Sequence, residues 1–116
     1  GRERYQIHCA PCHGAAGDGK GITTRYGMAV IADLHDVTTR RVVQQPDGEL
    51  FHTITHGKGL MQGYGAHIAI EDRWAIIAYV RALQRSRLGT LEDVPAAMQG
   101  QFPGAPPAAT AAPVSP

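Results

Sequence analysis

The sequence predicts an all-α domain of three to five short helices. Three observations carry that expectation: three stretches have helical apolar spacing or matching caps, no stretch alternates convincingly as a strand does, and a C-x-x-C-H run follows directly on the first stretch. A chain of 116 residues is long enough for one compact domain and too short for two. Apolar residues make up a globular 43%, but the aromatics reach only 6%, so the core is thin. A large rigid apolar group would supply the missing buried surface, at roughly 25 cal/mol per Å² removed from water.

The first helix is expected over residues 1–7, with Tyr5 one turn after Gly1, and it leads straight into Cys9. Glycines punctuate residues 14–36 and 57–67, where irregular loops are expected. Between them a helix is expected over residues 47–56, with Asp47 as N-cap and Gly57 as the stop. The last and strongest covers residues 71–87: Glu71 and Asp72 open it, Arg81, Arg85 and Arg87 lie toward its end, and Gly89 follows. Ile76, Tyr79, Val80 and Leu83 form its apolar stripe, widened by Trp74 and Ile77. Six of the eight prolines fall after Val94, so residues 1–92 read as the domain and 93–116 as an extended Pro/Ala-rich tail.

The chemistry resides in Cys9-Ala10-Pro11-Cys12-His13. Two thiols separated by two residues on a helical turn can each form a thioether to one porphyrin vinyl group, and the adjacent histidine then points at the iron, so the run is a c-type haem attachment pattern with His13 as proximal ligand. A redox-active dithiol would want a βαβ setting, a zinc site would need a second pair of ligands, and a Cys9–Cys12 disulfide is the third alternative. For the opposite face of the iron Met61 is the best candidate, because the glycines at 57, 59, 63 and 65 let that loop approach a flat macrocycle without Cβ clashes. Met28, His52 and His56 are its rivals, and Met98 lies in the tail. An iron with neither a Met nor a His in the sixth position would be open, as in a sensor or a peroxidase-like enzyme.

Over residues 1–87 the chain resembles class I cytochromes c. The resemblance rests on Cys9 to Gly14, on Gly17-Asp18-Gly19-Lys20-Gly21, on the Met61 loop and on the stretch from Asp72 to Gln84. It implies a cytochrome c fold around one covalent haem c, with the first and last helices crossing at Gly1, Tyr5 and Tyr79. More narrowly, the haem motif with Gly17-Asp18-Gly19, Gly27, Asp47-Gly48 and Glu71-Asp72-Arg73-Trp74 is similar to the mono-haem subunit of bacterial alternative complex III. That similarity implies a periplasm-facing subunit carrying quinol-derived electrons to a terminal oxidase or soluble carrier. Two departures stand out: Gln62 follows Met61 where such families often have Pro, and no Pro lies between Gly14 and Gln45 to offer the usual acceptor carbonyl for the proximal histidine. Arg40, Arg41, Trp74 and Tyr64 are candidates to meet the haem propionates, and Ile7, Val43, Leu50, Ile54, Leu60 and Ile68 to wall the haem.

The expected function is one-electron transfer between protein partners within a membrane respiratory complex, with no enzymatic step on a small-molecule substrate. A net charge of +1 with dispersed arginines argues against nucleic acid, and Lys20 and Lys58 alone make no strongly basic steering face. No apolar run is long enough to span a bilayer, and the sequence opens inside a helix, so anchorage on the periplasmic side of a bacterial inner membrane is expected through the complex or a preceding segment.

Overall fold

Helix α4, Ile70–Leu88, is the element on which the rest of the domain is assembled. In this computed structural model, which describes residues 1–104, it runs one residue beyond the expected bounds at each end. Glu71 and Asp72 sit at its positive N-terminal end, Arg85 and Arg87 at its negative C-terminal end, and Gly89 caps it. Its buried stripe is Arg73, Ile76, Ile77, Val80 and Gln84, the 3.6-residue period with both ends polar.

Helix α1, Arg2–His8, crosses α4 where side chains leave almost no gap. A Cβ on Gly1 would sit 2.1 Å from the Ala75 carbonyl oxygen and 3.3 Å from Tyr79 Cβ, so the crossing requires a residue without a side chain. The Tyr5 ring is fully buried and meets Tyr79 edge-on at 5.2 Å, as the resemblance implied. Tyr5, Ile68, Ile76 and Val80 form one apolar cluster; Val42, Leu50 and Ile77 form a second, through which helix α3, Asp47–His56, packs on α4. Between them in sequence comes α2, Ala10–His13, a single turn continuing from α1.

The structure departs from expectation in four places. Pro46, not Asp47, is the N-cap of α3: Pro46 is extended, its missing N–H costs nothing at a helix start, and its carbonyl accepts the Glu49 and Leu50 N–H groups. The 14–36 loop contains a 3₁₀ stretch, Ile22–Tyr26, closed by Gly27 at φ +98°. The 57–67 loop contains two-residue strands, β1 Gly57–Lys58 and β2 Met61–Gln62, paired antiparallel with Lys58 opposite Met61. The segment expected to be extended after residue 92 makes one helical turn, α5 Ala96–Gln99, behind Pro95, preceded by a 3₁₀ turn with a Thr90/Asp93 capping box. Alanine is the best helix former and Pro95 stands outside the turn, so composition there concealed a local helix signal. Residues 105–116 of the tail lie outside the described residues.

Candidate functional site

Cys9 lies at the α1–α2 junction in αR conformation, donating its N–H to Tyr5 O. The Cys12 and His13 N–H groups return to Cys9 O at 3.1 and 2.8 Å, which puts all three side chains on one helical turn. Pro11 stands in the first turn of α2, where a missing N–H is harmless. Both thiols are half-buried and unbonded to one another. Burial foremost, and then the neighbouring Cys12, pushes the Cys9 thiol up to about 11. A thiol so reluctant to ionise is poorly suited to dithiol redox exchange, and the motif sits between helices, not in a βαβ unit. No group of three or more His, Cys, Asp or Glu able to hold a metal ion occurs among the described residues.

The loop after the motif grips its backbone. Gly21 N–H donates to Cys12 O at 3.0 Å, the Thr23 hydroxyl to Pro11 O at 3.1 Å, and Gly19 N–H to His13 O at 2.8 Å. Gly21 lies so close that a Cβ there would sit 2.2 Å from Pro11 O.

His13 Nδ1 lies 3.0 Å from the Ala32 carbonyl oxygen. A carbonyl only accepts, so Nδ1 carries the proton and Nε2 keeps a free lone pair. Burial lowers the His13 pKa against the opposing pull of that hydrogen bond, which keeps the ring neutral and competent as a ligand. The stretch of loop that carries Ala32 is held two residues on: Leu34 N–H donates to Gly17 O at 2.8 Å, and the buried Gln84 of α4 donates to Leu34 O at 2.7 Å. This carbonyl serves in the role for which sequence reasoning found no proline. Every residue has a carbonyl, so no residue type marked it. Gln84 was findable, since it continues the α4 stripe one turn past Val80.

Met61 is half-buried on β2, at the tip of an arm attached at two points. Tyr64 and Gly65 N–H groups return to Ile54 O and Thr55 O at 2.7 and 3.1 Å, tying the arm to the last turn of α3. The Tyr64 hydroxyl donates to His8 O at 3.4 Å, which sets the arm beside the helix end that leads into Cys9. His52 and His56 are exposed on α3 with rings 4.6 Å apart, Met28 and Met98 are exposed, and so are Arg40 and Arg41. Trp74 stacks on Phe51 at 4.3 Å. Of the expected apolar walls, Leu50 and Ile68 are buried, Val43 and Ile54 half-buried, and Ile7 and Leu60 exposed.

The residues present fit a covalently attached haem. Two separate thiols and an imidazole with a free Nε2 share one turn, and a thioether is carried on an arm tied beside it. Exposed apolar side chains stand next to both features: Ile22 beside Gly21 is 51% exposed and Leu60 beside Met61 is 89% exposed. A family model described as Cytochrome C oxidase, cbb3-type, subunit III matches residues 1–80. No curated protein matches the chain.

Proposed function

From the premise that the chain belongs to the cytochrome c family described as Cytochrome C oxidase, cbb3-type, subunit III, with one covalent haem c and an electron-transfer role, we propose the residues and the setting that serve it. Cys9 and Cys12 form the two thioether links, His13 Nε2 is the proximal ligand of the iron, and the Met61 sulfur closes the opposite face. Residues 1–92 are the electron-carrying domain, and 93–116 a tail available to a partner subunit. The setting is the periplasmic side of a bacterial inner membrane, in a quinol-oxidising respiratory complex of the alternative complex III kind. The neighbours there are the other subunits, with a protein electron donor and a protein acceptor. No helix among the described residues is long and apolar enough to cross a membrane, and attachment through the complex needs none.

Bound haem c supplies a reversible one-electron couple at its iron. The chain's own part is to hold the surroundings still while the charge changes. Ala32 O holds the proton on His13 Nδ1, fixing tautomer and ring orientation and raising the basicity of Nε2. The Gly21, Thr23 and Gly19 bonds keep the motif backbone in place. A thioether at Met61 favours the reduced state relative to a second imidazole.

The observation that carries the reading is the His13–Ala32 bond, which frees Nε2 on the turn that bears two unpaired thiols. The test is production in cells competent for covalent haem attachment. The intact mass should exceed that of the polypeptide by one haem, and the ferric protein should show the weak far-red band of thioether ligation. Met61→Ala should keep the mass, lose the band and bind carbon monoxide when reduced. A mass equal to the bare polypeptide ends the proposal; ready carbon monoxide binding by the unaltered protein would favour a sensor or peroxidase-like role instead.

A further inference from the structure

Arg73, in the first turn of α4, is 7% exposed and belongs to none of the ion pairs among the described residues. A buried guanidinium without a carboxylate is costly, so its counter-charge must come from elsewhere. Its Nη1 donates to Thr55 Oγ1 at 2.6 Å, its Cζ lies 4.8 Å from the centre of the Phe51 ring, and its Nε has no partner. The Thr55 hydroxyl donates in turn to Phe51 O at 2.7 Å. The cation therefore bonds to a hydroxyl in the last turn of α3, where the helix dipole is negative, and through it to the carbonyl of Phe51 in the middle of that helix. The ring of Phe51 adds a cation–π contact on the same helix.

The turn of α3 that receives Arg73 also receives the returning arm, through Tyr64 N–H on Ile54 O and Gly65 N–H on Thr55 O. We propose that Arg73 is a positioning residue for the arm 57–65: through Thr55 it ties the last turn of α3 to α4 and so holds in place the turn from which Met61 is presented. The proposal rests on the reading of Met61 as the iron's sixth ligand.

The test uses the haem-bearing full chain with Arg73→Met, Arg73→Lys and, as a variant that leaves the arginine in place, Thr55→Val. Hydrogen exchange at the Tyr64 and Gly65 amides is compared with that at the Gly14 and Gly19 amides of the cysteine motif, and imidazole displacement of the sixth ligand is timed in the ferric state. Arg73→Met should speed exchange at Tyr64 and Gly65, and imidazole binding, by roughly tenfold, the equivalent of one charge-assisted hydrogen bond, while Gly14 and Gly19 change little. Arg73→Lys should fall between, and Thr55→Val should reproduce the localised effect if Arg73→Met fails to fold. Equal acceleration at all four amides, or none at Tyr64 and Gly65, would overturn the proposal. Met61→Ala keeps the two readings apart: an intact far-red band there sinks the ligand assignment, and with it the claim that Arg73 positions a ligand, whatever the amides show.

Discussion

Replacing Tyr5 with Phe keeps the ring against Tyr79 and removes one hydroxyl, the donor at 2.8 Å to the carbonyl of Gly14, immediately after His13. Loss of a buried hydrogen bond costs about 1–3 kcal/mol, and the low end applies because Gly14 O still accepts Gly17 N–H at 3.1 Å. The expected loss at pH 7 is therefore about 1 kcal/mol. Burial chiefly, with smaller pushes from Cys9, Tyr79 and Asp18, holds the Tyr5 phenol well above its ordinary value of 10.0. Below that value both folded and unfolded chains keep the proton and the contribution to stability is complete. As pH rises above it the unfolded chain releases the proton and the folded one does not, so stability falls by up to about 1.4 kcal/mol per pH unit. Tyr5→Phe lacks this slope, so its deficit should shrink above pH 10.0 and close at about pH 11. Urea unfolding of both haem-bearing proteins, followed by far-ultraviolet circular dichroism from neutral to alkaline pH, measures the difference and cancels the other titrating groups. A deficit that stays constant across that range, or is absent at neutral pH, would refute the reasoning.

Gly21→Ala should destabilise the protein by about 1–3 kcal/mol, because its Cβ would meet two backbone carbonyls, Pro11 O and Cys12 O, that cannot swing aside. Thermal melts and the yield of haem-bearing protein check this, and wild-type behaviour in both would contradict the close approach. The Asp36 carboxylate accepts N–H groups of Arg40, Thr38 and Thr39, which hold its pKa well below the ordinary 3.8. A depressed pKa gives stability that is present above the ordinary value and lost as pH falls toward the folded one, so Asp36→Asn should flatten the acid limb of a melting-temperature profile below about pH 4. An unchanged acid limb would remove Asp36 from the account.

The helices were legible because each is written in side chains. The order of acids and bases along α4, the glycines after α3 and α4, and the spacing of Ile76, Val80 and Leu83 are local signals that tertiary context had no reason to override. The β1–β2 pair was not legible, since two-residue strands are too short to alternate, and what makes them is the return of Tyr64 and Gly65 to the end of α3. Arg73 was concealed by its type: an arginine next to Glu71 and Asp72 reads as a solvated surface, yet it lies on the buried stripe three residues before Ile76. The helical turn after Pro95 was hidden by the prolines around it.

By itself the sequence determined the helical frame and marked the turn proposed to carry the haem, because two thiols and an imidazole at fixed spacing need no distant part of the chain to be recognised. Only the tertiary structure decided what orients them. The Ala32 carbonyl on His13, Gln84 behind it and Arg73 beneath the Met61 arm act across 19, 50 and 18 residues of sequence to their bonded partners. Hydrogen bonds of that reach depend on where packing places a backbone oxygen or hydroxyl, and local residue pattern carries no record of it.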